Sequence, residues 1–529
     1  MELIVSLPEY PAILGGLGFH NSEAGMYRLM SDDFFNQMVC KCYREISPGF
    51  MRCFGGFSDW TKPVMDDFAD YYEQMQKWTD TPIYMVPGRG RILFSDEEIK
   101  DYSQNVAQRL SYLIRERNVR HLTYYCFSNE LAAVEPARLT NDLSQFKRLH
   151  EALYQSFQNA GLNVGLLATD EPNWWESIYW AQRNMDPITK DYCGHYYESE
   201  YSLEDTHFYD FWFRRCRTFV NAASRCQKHF IIGEYGLTQP TNGPVGAVAK
   251  DTCSYYETGE TAVSCLKHAD MIIGAVNAGV FAMAYWTFMD YPAPFNGPSF
   301  RDEYSTQWTK YEPFLGGGIN HRYNRHGLLR FEDNANPTPR ENYWCIGLIM
   351  KYLKRNAMIL STDDCGDLLH SCAIMNRDKS ISIVVSNRQK APTKLSIRVP
   401  FHRSPSEKLF RVYQYDVHNP PYNRFGDLTT PYEAVPCDNG VISISLPPES
   451  VLIITNDYIE KSIPVQAEIV SCKDGRLSWK AVNDKKHCYY RVFRVDSANE
   501  QICSTIAQTC TVPIGGEYKV YSVDTSGNI

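Results

Sequence analysis

Eight times along this chain an apolar run of strand length stops at a glycine or a polar residue and gives way to helical or loop sequence. The runs are AILGGLGFHN (12–21), FMRCFGG (50–56), TPIYMVPGRG (81–90), HLTYYCFSNE (121–130), LNVGLLATDE (162–171), DYCGHYYE (191–198), HFIIGEYG (229–236) and GVFAMAYWTFMD (279–290). Helical patterns lie between them, among them 31–46, 95–117 and 141–161. Ser95 with Glu98 three residues on makes a capping box at the start of the second, and Gly161 closes the third as a C′ residue. Strands joined by crossover helices run parallel, and parallel strands are covered on both faces, so they read as unbroken apolar runs. Eight such units predict a closed (β/α)8 TIM barrel. A doubly wound sheet would carry a phosphate loop after its first strand. Here Gly16 and Gly18 have no third glycine at the required spacing.

The texture changes near residue 356. SISIVVSN (380–387), KLSIRVP (394–400), EKLFRVYQYD (407–416) and GVISISLPPESVLIITN (440–456) are short strands between turns, the pattern of an antiparallel β-sandwich. From about 462, RLSWKAV, CYYRVFRVD and GEYKVYSVD alternate around Trp479, Tyr489, Tyr490, Tyr518 and Tyr521, with the spacing of a fibronectin type III-like module. The expected division is therefore 1–356 barrel, 357–461 sandwich and 462–529 fibronectin-like module, and 529 residues suffice for three cores.

Barrel enzymes place their chemistry where the strands end, at the C-terminal mouth. Glu130 ends the fourth run and Glu234 the seventh. Two carboxylates at one mouth fit hydrolysis of a glycosidic bond, which needs one protonated acid and one ionised carboxylate.

These residues resemble the clan A glycoside hydrolases, the retaining (β/α)8 families, through Asn129-Glu130 on strand four and Glu234 on strand seven. FMRCFGG places Arg52 like the clan's strand-two arginine, GHYY gives His195 and Tyr197 like its strand-six His-x-Tyr, and YWTFMD places Trp286 like its strand-eight tryptophan. A barrel followed by a sandwich looks most like family 39, with families 5 and 30 as close competitors. Asn129-Glu130 is followed by Leu131 where many relatives have proline. The resemblance implies a retaining double displacement, with Glu130 as general acid/base and Glu234 as nucleophile. It implies that Asn129 binds a sugar 2-hydroxyl and that Arg52 and Tyr197 orient Glu234. His195 and Trp286 join the substrate-binding set.

In ATDEPNWW, Asp170 is expected to contact a sugar hydroxyl and Trp174 to form a subsite wall, with Glu171 as a reserve acid. Asp290 is expected to bind sugar or brace its loop. The long loop 291–330 suggests a lid and exo action, on xylosidic, arabinosidic or glucosidic linkages; endo action and a non-catalytic carbohydrate-binding barrel are the alternatives.

A net charge of −9 argues against a nucleic-acid partner, and no run reaches the roughly 18 apolar residues of a membrane span. Seventeen cysteines lack zinc spacing, so no metal is expected, and no cofactor is needed. Scattered thiols and an N-terminus without a basic n-region suggest a cytoplasmic location, or secretion if a leader has been removed. The expected partner is a carbohydrate, and homo-oligomerisation stays open.

Overall fold

The computed structural model describes residues 1–21, 32–55, 60–77, 79–87, 95–130, 144–172, 175–199, 206–238, 262–289, 291–294, 321–324, 327–330, 338–363, 365–400, 409–428, 431–459, 465–496 and 498–529. Eight strands close into a parallel barrel: β1 Gly16–His20, β2 Phe50–Phe54, β3 Ile83–Val86, β4 Leu122–Tyr125, β5 Gly165–Pro172, β6 Asp191–Ser199, β7 Phe230–Thr238 and β8 Ala282–Tyr285. Each pairs with its sequence neighbours, and β8 returns to pair with β1. The helices that follow them are α1 Cys40–Ile46, α2 Lys62–Gln76, α3 Asp96–Ser111, α4 Ser144–Asn159, α5 Ser177–Met185, α6 His207–Arg225, α7 Ala262–Ala278 and α8 Glu341–Tyr352.

The local signals act as read. Ser95 Oγ accepts from Glu98 N at 3.1 Å, and Ser95 N donates to Glu98 Oε2 at 3.0 Å. Gly161 sits at φ +60° after α4, where the left-handed region suits glycine. Ser95→Ala removes the cap and should cost about 1 kcal/mol, read as a lower midpoint in urea unfolding.

The strands alternate between two cores. Phe50, Tyr84, Tyr124, Leu167, Ile231 and Ala284 fill the barrel interior. Met51, Met85, Tyr125, Ile232 and Tyr235 pack outward against the helices. That double burial is why each strand reads as a continuous apolar run.

The second unit takes in strands from the segment expected to belong to the barrel. Its sheet has the order Glu433–Val435, Phe410–Asp416, Ser450–Thr455, Ile381–Asn387, Leu369–Met375, Ala357–Thr362, Glu2–Ser6, Thr393–Arg398, Val441–Leu446 and Cys437–Asp438. Glu2–Ser6 thus sits inside the sandwich, antiparallel to Ala357–Thr362 and parallel to Thr393–Arg398. The first predicted run also divides. Ala12–Leu14 pairs with Ala357–Thr362, and only Gly16–His20 enters the barrel. The break falls at Gly15, next to Gly16, whose φ is +148° and where a Cβ would meet Gly49 O at 2.3 Å. The sheet folds over on itself, because Val385 from one half and Ile397 from the other share one core. Its opposite face, with Ile374, Val384, Tyr413 and Ile453, joins the core around the barrel helices.

Buried charges fasten the units. Asp270 on α7 pairs with Arg388 at 2.8 Å, with the His370 ring 3.2 Å away. Lys41 on α1 lies 2.7 Å from both Glu45 and Asp427, and Asp427 also pairs with Arg491 of the third unit at 3.1 Å. Burial works against the Lys41 charge, but Asp427 and Glu45 outweigh it and raise its pKa. The third unit packs two three-stranded sheets, Ile469–Lys473 with Arg476–Trp479 and Thr509–Thr511, and Glu500–Thr505 with His487–Arg494 and Tyr518–Asp524. Trp479, Tyr490 and Tyr518 lie between them, while Tyr489 turns to the barrel side near Glu45. Sixteen cysteines fall in the described residues and all are free thiols; no described helix is long and apolar enough to cross a membrane.

Candidate active site

Five barrel strands, β1, β2, β5, β6 and β7, and the segment after β4 deliver polar side chains to one buried cluster. Arg52, near the end of β2, has no exposed surface and is its hub. Its Nη1 lies 2.5 Å from Glu234 Oε1 and 3.0 Å from His20 Nδ1. Its Nη2 donates to Asn129 Oδ1 at 2.5 Å and to Asp170 Oδ2 at 2.8 Å. The guanidinium stands 5.5 Å from the Phe54 ring centroid and 5.4 Å from that of Tyr84, so aromatic faces cover it where carboxylates do not.

Two β-bulges aim the acids. Along β7, simple alternation from the inward Ile231 would turn Glu234 outward. The register shifts on both flanks: Gly194 pairs with Ile232 but His195 with Glu234, and Met283 with Ile232 but Tyr285 with Tyr235. The extra residue is Gly233, and it returns Glu234 to the barrel axis. Along β5, Thr169 pairs with Cys193 and Glu171 with Gly194, so Asp170 is the extra residue there, at φ +60°. Glu130 also adopts a positive φ, +48°, and its N–H donates to Asp170 O at 3.1 Å.

Gly233 has a second task. A Cβ there would come within 2.8 Å of Cys193 Sγ, 2.9 Å of Asp170 Oδ1 and 3.0 Å of His195 Nε2. Gly233→Ala should therefore displace the Asp170–His195 pair. We expect a loss of about 1–3 kcal/mol in denaturant unfolding, together with a change in the histidine proton resonances of the site.

His195, fully buried, presents Nδ1 to Glu130 Oε1 at 2.9 Å and Nε2 to Asp170 Oδ1 at 2.9 Å. A neutral imidazole has one N–H, so two carboxylate acceptors call for the doubly protonated ring. Burial opposes that charge, but Asp170 and Glu234 outweigh it and raise the His195 pKa to about 10. Asp170 moves the other way: burial would raise it, and Arg52 and His195 hold it well below the usual carboxylate range. Burial, reinforced by the Arg52 and His195 cations, keeps His20 neutral, so its Nδ1 accepts from Arg52. Glu234 accepts from Tyr197 Oη at 2.7 Å. Burial pushes its carboxyl up against the downward pull of His195 and Arg52. Arg52 and His195 thus balance Asp170 and Glu234, and Glu130, with a quarter of its side chain exposed, faces the solvent.

A carboxylate oxygen from each of Glu130 and Glu234 and a ring nitrogen of His195 lie within 4.8 Å of one another. Trp286 is 7% exposed, with its ring 4.3 Å from His20 and 5.6 Å from Phe54, and so covers one side of the cluster. Of the residues named from sequence, Arg52, Asn129, Glu130, Asp170, His195, Tyr197 and Glu234 meet here. Asp170 is wholly enclosed by Arg52, His195 and Cys193 (Sγ to Oδ1, 3.2 Å). Glu171 is buried on the same strand. Trp174 and Asp290 lie outside the described residues, as does most of the loop 291–330. His20 was not anticipated, although it ends β1 just as the other site residues end theirs. A second triad of donors, Asp170, Cys193 and His195, is close enough to hold a metal ion, but Arg52 and the His195 N–H already occupy the Asp170 oxygens.

A closed (β/α)8 barrel with an added β domain is the fold shared with solved clan A glycoside hydrolases of families 30 and 51. The catalytic domain of family 30 xylanase C from Talaromyces cellulolyticus is similar over 86% of this chain and 99% of its own, with a TM-score of 0.56 at 13% identity. The family 51 α-L-arabinofuranosidase AbfB from Bifidobacterium longum is similar over 86% and 99%, with a TM-score of 0.57 at 11% identity. A family 30 endoxylanase from Clostridium papyrosolvens C71 gives 86%, 99% and 0.56 at 10% identity. At these identities the common property is the fold. Family 30 was one of the competitors named from sequence; family 51 was not expected, and these structures give family 39 no support. No protein-family model matches the chain, and no curated protein matches it.

Proposed function

We infer that the protein is a retaining glycoside hydrolase. The observation that carries this reading is the pair Glu130, in the segment after β4, and Glu234, on β7, with carboxylate oxygens within 4.8 Å across one His195 nitrogen. Carboxyl groups about 5–5.5 Å apart suit direct attack on the sugar, whereas about 6.5–9.5 Å leaves room for an intervening water.

Glu234 attacks the anomeric carbon while the bond to the leaving oxygen breaks and Glu130 gives that oxygen its proton. Glu130 then takes a proton from water, whose oxygen displaces Glu234 and restores both carboxyls. Arg52 and Tyr197 each hold one oxygen of Glu234, opposing the effect of burial on its charge and orienting it. Asn129, fixed by Arg52, is the residue for the sugar 2-hydroxyl, and Trp286 the surface for the ring. Asp170 acts through Arg52 and His195 rather than by touching sugar.

The substrate class is an oligosaccharide or polysaccharide with xylosidic, arabinosidic or glucosidic linkages, and the proposed mode is exo. The test is hydrolysis of an aryl glycoside panel followed by proton NMR of the first-formed sugar. Retention of anomeric configuration is expected; inversion would exclude Glu234 as nucleophile. Release of single sugars from a reduced-end-labelled oligosaccharide separates exo from endo action. A panel left intact would favour a binding barrel.

A further inference from the structure

A cavity of about 480 Å³ opens on the outer wall of the barrel, where α6 and α7 meet the sandwich and the linker before Ala12. It shares no residue with the mouth cluster, and its volume lies within the range of about 300–1,000 Å³ typical of small-molecule sites. We propose that it is a second, non-catalytic binding site for a short neutral oligosaccharide. The choice of ligand class rests on the glycosidase reading above, and the chemistry of the walls agrees with it.

Tyr10 stands 77% exposed at the rim, an uncovered aromatic face of the kind that receives the C–H face of a sugar ring. The inner wall is rigid and polar. Tyr209 stacks on His370 with ring centroids 3.7 Å apart and planes within 8°. Asn277 spends both amide protons, on Tyr209 Oη at 2.9 Å and Ser371 O at 2.8 Å, so its Oδ1 remains an acceptor. Ser371 is 4% exposed and lines the cavity, and its Oγ has no hydrogen-bond partner. A buried hydroxyl in that state costs stability.

Charge narrows the ligand further. Glu9, Asp210 and Asp363 line the cavity against the single arginine Arg217, so phosphate, sulfate and uronate groups are repelled. Neutral hydroxyl-rich ligands suit carboxylates, which accept from two hydroxyls at once. The site would hold part of a long substrate, or a product, away from the mouth.

The test uses the full chain carrying Glu234→Gln, so that ligand survives, titrated with xylohexaose and with a linear arabino-oligosaccharide by calorimetry and saturation-transfer NMR. Tyr10→Ala with Asp210→Ala, both solvent-facing, is then added. Two binding events, one of them weakened about tenfold or more by the added pair, are the expected result. The same pair on the wild-type background should leave cleavage of a small aryl glycoside unchanged, which also reports that the barrel is intact. A single event indifferent to Tyr10 and Asp210 would overturn the second site. Binding lost with the pair in a protein that hydrolyses no glycoside would uphold this site and overturn the glycosidase reading. Binding of spermidine in place of either sugar, abolished by the same pair, would overturn the carbohydrate assignment.

Discussion

Glu234→Gln should lower kcat by roughly 10⁴-fold or more, the scale on which removal of a covalent nucleophile is felt. The amide fills the same space but cannot form the glycosyl bond. The structure also says why the variant should fold. Arg52 keeps Asp170 at 2.8 Å and Asn129 at 2.5 Å, so its charge is not left alone. Tyr197 and Arg52 can each still meet a polar atom of the glutamine. A stability loss of about 1–3 kcal/mol is the expected scale for one impaired buried bond. The measurement is turnover of the best aryl glycoside beside a thermal melt. A folded, inactive variant upholds the nucleophile; a folded variant with wild-type kcat would remove Glu234 from the chemistry.

Asp170→Asn should have the larger effect on stability. It leaves Arg52 and His195, both without exposed surface, facing only Glu234 and Glu130. Breaking one partner of a buried ion pair costs about 3–5 kcal/mol. The loss should depend on pH in a defined way. His195 is raised in the folded state, to about 10, from an unfolded value near 6.5. Its contribution is therefore complete below about pH 6.5 and disappears as pH rises through about 10. Asp170 is depressed, so its contribution is complete above its unfolded value near 3.9 and is lost as pH falls below it, through the folded value. Taking His195 and Asp170 alone, wild-type stability should thus be greatest between about pH 4 and 6.5, and decline toward alkali by an amount on the order of a few kcal/mol. In Asp170→Asn the alkaline decline should shrink. Urea midpoints at pH 6 and pH 9, for both proteins, are sufficient. Equal differences at the two pH values would mean that Asp170 does not set the charge on His195.

The barrel was readable because each strand buries both faces and declares itself as an apolar run. The mouth was readable because polar residues collect where those runs stop. Arg52, Asn129, Glu130, His195, Tyr197 and Glu234 all follow that rule. His20 follows it too, but the surrounding glycines of GGLGFHN drew attention to a phosphate loop instead of to the strand end. Asp170 shows a limit of the rule. Its position at a strand end is plain, yet its depth depends on a bulge that no period-two pattern announces. Gly233 was the visible trace of the other bulge: a glycine inside a strand marks a bulge or a close approach, and here it marks both. The place of Glu2–Ser6 was unreadable for another reason. Short alternating strands declare a sheet but not their partners, and these partners lie more than 350 residues away.

That distant pairing has a kinetic consequence. At about 5–20 residues per second, the ribosome needs on the order of 20–80 s between making Glu2–Ser6 and making both strands that flank it. The barrel can close in that interval, since its strands pair with sequence neighbours. The N-terminal strand cannot be placed until Thr393–Arg398 has been made, and until it docks, that strand and Ala357–Thr362 each present an open edge to other nascent chains. A segment made before the barrel is thus among the last to be seated, and the yield of correctly assembled protein should depend more on this late closure than on the barrel itself.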